Sequence, residues 1–221
     1  MSQQILIIGL GQFGMSLARA LSEKGAEILA VDSRKNLVEE ASNFATEAIV
    51  ADATDEAELA KLEPGKRDAA VCAIGNESRE ASIICTALLR QMGTPLVISR
   101  ATDKTQQRIL QLVGAHQIIN PEQEFGRRFA NRLLYRDIVT ETSLSEDLNL
   151  TEIRTLPSMA GKTLIELSLP KKFGILVVGI RKNAKGKIIQ PSPNEPLKAE
   201  DNLIIVANDA AIPKLSEENL A

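Results

Sequence analysis

Ile5-Leu6-Ile7-Ile8-Gly9-Leu10-Gly11-Gln12-Phe13-Gly14 decides the fold of the first half of the chain. Four apolar residues run into a glycine, two more glycines follow at fixed spacing, and an amphipathic stretch begins. An unbroken apolar run of this length reads as a strand buried on both faces. In a G-x-G-x-x-G turn between a strand and a helix, each glycine has its own task. Gly9 permits the tight turn, Gly11 lets the main chain approach a pyrophosphate, and Gly14 lets the helix lie close to the strand. Leu10, Gln12 and Phe13 complete the loop. The helix start offers free N–H donors and the positive end of its dipole.

The spacing alone is a weak signal, and its context strengthens it. Asp32 closes the next apolar run, 21 residues after Gly11, with Ser33 behind it. An acid at that point accepts hydrogen bonds from ribose hydroxyls and disfavours a 2′-phosphate. The expected ligand is therefore NAD or an unphosphorylated adenosine rather than NADP.

Further out, short β-like runs alternate with helical patterns over the first 120 residues. The runs are Ile5–Ile8, Glu27–Val31, Ala48–Val50, Ala69–Ala73, Leu96–Ser99 and Gln117–Ile119. Strict alternation predicts an α/β fold, a doubly wound parallel sheet with helices on both faces. Its ligand crevice lies at the carboxyl ends of the strands. Asp52 and Ala53 after the third run are placed to flank an adenine, and Thr54 either joins them or caps the next helix. Ala73, Ile74, Gly75 and Asn76 after the fourth run leave room for a ligand. Arg100 after the fifth run is either a phosphate contact or a solvated charge.

Pro121 punctuates this unit, and Glu122 to Tyr135 is a further helix candidate with Phe125, Phe129, Leu133 and Leu134 on it. Those side chains either meet a partner subunit or cover the chain's own second domain. The polar residues Thr140 to Asp147 read as a linker or a loose strand. Beyond Leu148 the pattern is that of a small β-rich domain. Ile175–Arg181 and Lys187–Ile189 are β-like around an Asn183–Gly186 turn, and Leu203–Ala207 is a buried strand candidate. Asp209 is placed to cap a last helix from Ala210 to Leu220.

Composition excludes several classes. There are 26 Lys and Arg against 29 Asp and Glu, a net charge of −3, so nothing favours nucleic acid. No apolar run approaches the ~20 residues that span a bilayer, and the start lacks a basic leader, so a cytoplasmic location is expected. Cys72 and Cys85 read as buried core thiols. The one histidine, His116, lies in a helix-to-strand turn and reads as a surface or structural residue. No catalytic constellation or transition-metal spacing is present, which leaves binding without chemistry.

In this order, the motifs resemble the RCK (regulator of potassium conductance) family in its stand-alone TrkA/KtrA-type form. The resemblance rests on Ile7–Gly14, Ala30-Val31-Asp32, Ala51–Thr54 and Gly114-Ala115 with Ile118–Glu122. In the second half it rests on Gly161–Leu164, Phe173-Gly174-Ile175, Pro191-Ser192-Pro193 and Glu200–Val206. It implies a Rossmann-type RCK N-terminal domain over 1–120, a crossover and dimerisation helix over 121–140, and a small α+β C-terminal RCK domain over 141–221. It implies no enzyme activity. It implies dimers assembled into a cytosolic ring, commonly an octamer, beneath a membrane potassium-translocating subunit of TrkH/KtrB type. The family's ligands are ATP, ADP and NAD(H). Glu122 matches a family position that helps hold a cation, divalent or Na⁺, near the phosphates. Its other role is that of an acid favouring a helix start. In some relatives the C-terminal domain binds cyclic di-AMP, and Leu164, Ile165, Arg181 and Pro191 fall near the matching segment. One departure matters. KtrA-like members often carry Arg where this chain has Gln12. Gln cannot make the bidentate, charge-assisted contact to a γ-phosphate. That shifts the expectation from ATP towards NAD(H), ADP or AMP. The alternative function is a small NAD-dependent oxidoreductase.

Overall fold

The computed structural model describes residues 2–75, 78–145, 147–208 and 210–217. The chain divides into two compact units, 1–124 and 125–221.

The first unit is a six-stranded parallel sheet in the order β3-β2-β1-β4-β5-β6. Its strands are β1 (Gln4–Ile8), β2 (Glu27–Asp32), β3 (Glu47–Val50), β4 (Ala69–Cys72), β5 (Val97–Arg100) and β6 (Gln117–Ile119). Between them run α1 (Gln12–Glu23), α2 (Lys35–Ala41), α3 (Glu56–Lys61), α4 (Arg79–Gln91) and α5 (Lys104–Leu112). The chain leaves β1 to build one half of the sheet and returns beside β1 with β4, so the order reverses between these two strands.

The apolar runs are continuous because the sheet is covered on both sides. Leu6, Ile8, Leu29, Val31 and Cys72 face a layer holding Leu59, Leu62, Cys85 and Leu89. Ile5, Ile7, Ile28, Ala30 and Val71 face the opposite layer, with Met15, Ala18, Val38 and Ala41. Each large side chain so buried contributes roughly 1.5–3 kcal/mol. Cys72 and Cys85 are free, buried thiols within this core.

Helix α6 (Pro121–Leu134) follows β6 and contains the boundary between the units. It has no buried residue. Phe125 and Phe129 stack at 5.6 Å between ring centroids and, with Leu133 and Leu134, stay exposed on the single chain.

The second unit is an antiparallel sheet, β10-β9-β11-β8-β7. Its strands are β7 (Ile138–Ser143), β8 (Leu148–Arg154), β9 (Leu176–Arg181), β10 (Ile188–Ile189) and β11 (Asn202–Asn208). Short helices α7 (Leu164–Leu167) and α8 (Leu169–Phe173) precede β9, and α9 (Ala211–Glu217) follows β11. Ile153, Ile175, Ile180, Leu203 and Ile205 form its core with Leu169, Ile212 and Leu215. Of the two readings of the stretch from Thr140, the strand holds over Thr140–Ser143, which pair as part of β7. One strand escaped: β8, which alternation did not reveal, is a full strand between β7 and β11. Its buried positions include Asn149, Thr151 and Glu152, so polar residues hide the pattern. Asp209 lies outside the described residues.

Candidate functional site

A crevice of about 630 Å³ opens at the carboxyl ends of the parallel strands. That volume suits a nucleotide-sized ligand. Its floor is the turn from β1 into α1. Gly9 has φ +92°, and a Cβ there would come within 2.9 Å of the Ile74 amide nitrogen. A Cβ on Gly14 would fall on the Gly9 carbonyl oxygen, so the helix approaches the strand only because residue 14 is glycine. Gly11 differs from both, since a Cβ there would meet nothing within 4 Å. It faces open space, as a close approach by a ligand requires. Helix α1 also starts without a side-chain cap. The same holds of α2, whereas Asp55, Ser78 and Asp103 cap α3, α4 and α5. The first amides of α1 are therefore left for another acceptor.

Gly9, Gly11, Gln12 and Phe13 line the crevice. Leu10 and Gly14 do not. The Leu10 side chain is buried, and its N–H donates to Asp32 Oδ2 at 2.7 Å. These two residues shape the loop from behind.

Asp32 and Ser33 line the neighbouring wall, with Arg34 beside them. Asp32 is 6% exposed. Its Oδ1 accepts from Arg34 N at 2.9 Å and Arg34 Nε at 3.1 Å. Burial alone would raise this carboxyl's pKa. The bonds from the Arg34 side chain and from the Arg34 and Leu10 amides outweigh burial, and hold it below the usual carboxylate range. Asp32 is thus a fixed anion at the position read for the ribose.

Asp52, Ala53 and Thr54 line the crevice beyond β3. Asp52 Oδ1 accepts from Thr54 N at 2.9 Å and Thr54 Oγ1 at 2.7 Å. The cap of α3 is Asp55, which accepts from Ala57 N and Glu58 N, so Thr54 does not cap that helix. Its hydroxyl is turned back onto Asp52 instead.

Ala73, Ile74 and Gly75 form the wall after β4. Asn76 lies outside the described residues. Arg100 lines the crevice as well. Its guanidinium carbon sits 5.7 Å from the Phe13 ring centroid, and Nη2 pairs with Glu122. A Cβ on Gly75 would come 2.7 Å from Arg100 Nη1, so the small residue makes room for the cation. Arg100 Nε is buried without a partner among the described residues. Arg100 is accordingly not a solvated charge.

Glu122 reaches the crevice, but its carboxylate is shared with Arg100. Among the described residues no group of three or more His, Cys, Asp or Glu side chains gathers for a metal. One carboxylate fits a hard cation only if phosphate oxygens supply the remaining ligands.

His116 does not line the crevice. Its Nδ1 accepts from Val97 N at 2.8 Å, and Nε2 lies 2.6 Å from Arg90 Nη1, which ties β5 to the turn before β6. Arg34 and Ser78 line the crevice and were missed from sequence. The signal for Arg34 was a cation two positions beyond the ribose-reading acid.

In the second unit, Arg181 places Nε and Nη2 on the two oxygens of Glu152, at 2.8 and 3.1 Å. Asn202 Nδ2 adds a third bond at 2.8 Å. Burial would raise the Glu152 carboxyl, and these partners hold it below the usual range. Ile165 is exposed, while Leu164 leans on the core.

Residues 5–121 match the profile of the TrkA-N domain, and residues 150–219 match that of the TrkA-C domain. This is an RCK-family protein of the TrkA/KtrA type. The RCK chain is 33% identical over 220 residues to the Ktr system potassium uptake protein C of Bacillus subtilis, covering 100% of this chain and 99% of that one. It is 35% identical to the Ktr system potassium uptake protein A of Vibrio alginolyticus, over 92% of each chain. Among solved structures it resembles the GsuK RCK domain, at a TM-score of 0.64 and 18% identity, over 98% of this chain and 47% of that one. The GsuK channel bound to NAD gives a TM-score of 0.63 at 18% identity, over 98% of this chain and 39% of that one. The RCK chain thus spans less than half of these structures, and the likeness establishes the fold.

Proposed function

We propose that this chain is a regulatory subunit of a potassium uptake system that senses an adenine nucleotide or NAD(H) and performs no chemistry on it. The observation that carries the reading is the pairing of an uncapped α1 start, open at Gly11, with the fixed anion of Asp32 across one crevice. Main-chain amides there suit phosphate oxygens, and Asp32 suits ribose hydroxyls. Ala53, Ile74 and Gly75 offer apolar walls to an adenine, with Asp52 and Thr54 at its edge. Arg100 stands where it meets phosphate charge. Once phosphate draws Arg100 away, Glu122 is free to share a cation, divalent or Na⁺, with the same phosphates. Gln12 supplies no charge for a γ-phosphate, which favours NAD(H), ADP or AMP over ATP. The Bacillus and Vibrio relatives are potassium uptake proteins by name, which supports the transport role.

The unpartnered apolar side of α6 supports pairing of two chains, and dimers then build a ring on the cytoplasmic face of a TrkH/KtrB-type membrane subunit. Among the described residues no helix is long and apolar enough to cross a membrane. Ligand binding shifts the ring between two conformations by its difference in affinity for them.

Light scattering combined with thermal unfolding tests this reading. The expected result is an assembly of several chain masses whose melting temperature rises with ADP, ATP or NADH. A monomer unmoved by all three, or turnover of NADH with a small substrate, contradicts it.

A further inference from the structure

Asp32 offers four lone-pair directions on two oxygens. Two are taken by main-chain donors, Leu10 N on Oδ2 at 2.7 Å and Arg34 N on Oδ1 at 2.9 Å. Both donors belong to turns set by the fold and stay when a ligand arrives. The other two directions are met by the Arg34 guanidinium, with Nε on Oδ1 at 3.1 Å and Nη2 on Oδ2 at 3.4 Å. One N–H to each carboxylate oxygen is the pattern that the two vicinal hydroxyls of a ribose make. The carboxylate is 6% exposed and the guanidinium side chain 44% exposed. The cation can therefore swing out while the anion stays fixed. Both residues line the same crevice.

We propose that Arg34 sets the affinity and selectivity of the crevice by holding the ribose seat on Asp32, so that a nucleotide binds by displacing its own side-chain competitor. This rests on the reading of the crevice as a nucleotide site. A ligand with both hydroxyls replaces both guanidinium bonds. A 2′-deoxy ligand replaces one and leaves a nearly buried carboxylate oxygen short of a donor. The seat thus selects an unmodified vicinal diol. The opposite use of an arginine beside this acid is to grip a 2′-phosphate, and the two uses predict opposite responses to its removal.

Calorimetric titration of the full chain with ATP, 2′-deoxy-ATP, NAD⁺ and NADP⁺ separates them. It is run on the unaltered protein, Arg34→Met and Arg34→Lys, each checked for its melting temperature. The arginine half of this pair is 44% exposed, which discounts its hold on Asp32, so Arg34→Met is expected to tighten ATP and NAD⁺ about two- to five-fold. Arg34→Lys, which keeps the charge without the fork, should fall between. 2′-Deoxy-ATP should bind more weakly than ATP throughout. Unchanged or weaker binding in Arg34→Met, where the unaltered protein binds, overturns the inference alone. So does NADP⁺ binding tighter than NAD⁺ and losing that advantage in Arg34→Met. If none of the three proteins binds any of the four, the nucleotide reading itself falls, and the competitor role with it.

Discussion

Asp32 and Glu152 are both nearly buried carboxylates facing an arginine, yet the two sheets treat them differently. In the parallel sheet, Asp32 keeps two main-chain donors for itself and takes the rest from Arg34, a side chain lying partly in solvent. Nearby, among the described residues, Arg100 Nε has no partner and α1 starts without a side-chain cap. In the antiparallel sheet, Glu152 takes Nε and Nη2 of Arg181 from β9 and the amide of Asn202 from β11, all within the same sheet. Next to it, Asp201 accepts from Lys182 Nζ and Asn183 N, and its carbonyl takes the N–H and hydroxyl of Thr155. A polar cluster that satisfies itself from regular structure is a structural element. One that relies on displaceable partners beside an open cavity is a place for something else to bind.

That contrast breaks most readily at Glu152. Glu152→Ala strands the Arg181 guanidinium over the sheet, and is expected to cost about 3 kcal/mol in denaturant unfolding while leaving nucleotide affinity unchanged. A variant as stable as the parent would make the cluster decorative. Asp32→Ala should act in the other sense, weakening the preferred nucleotide by roughly 1.5–3 kcal/mol. It also takes the acceptor from Leu10 N, so part of its effect appears in the melting temperature of the unliganded chain. Unaltered affinity would remove Asp32 from the ribose seat.

Acid gives a smaller and sharper comparison. Both carboxyls are held below their ordinary pKa in the folded chain. Each therefore contributes stability that is fully present above its unfolded pKa and is lost as pH falls through the depressed folded value. Stability measured downward from neutral pH should decline across the acid range below the ordinary carboxylate pKa. Glu152→Gln should flatten part of that decline. An acid limb identical in the parent and in Glu152→Gln would show that Glu152 titrates alike in both states.

The parallel sheet was legible because its chemistry is local. Strands buried on both faces read as unbroken apolar runs, and each expected strand lies within one residue of its place. Gly9 and Gly14 announce the turn because only glycine satisfies their geometry, and Gly11 because it leaves the space before α1 open. What escaped depends on contacts distant in sequence or shared between neighbours. β8 was hidden because Asn149, Thr151 and Glu152 are polar yet buried, and Glu152 finds partners from β9 and β11 only once the sheet is assembled. Asp55 rather than Thr54 caps α3, a choice between adjacent acceptors that backbone geometry makes. The Arg100–Glu122 pair joins the ends of separate elements, and nothing local marks it.

Gly11→Val gives the most direct test of a main-chain phosphate seat. Gly11 has φ −63° and ψ −175°, which any residue adopts, and a Cβ there meets no atom within 4 Å. The substitution should leave unfolding within about 1 kcal/mol of the parent, the scale of an N-cap change. Its side chain nevertheless occupies the space a phosphate needs. Titration with ADP and NADH should show one saturable site per chain in the parent and none in Gly11→Val. Equal binding by both proteins, or no binding by the parent, would contradict a nucleotide held on the amides that open α1.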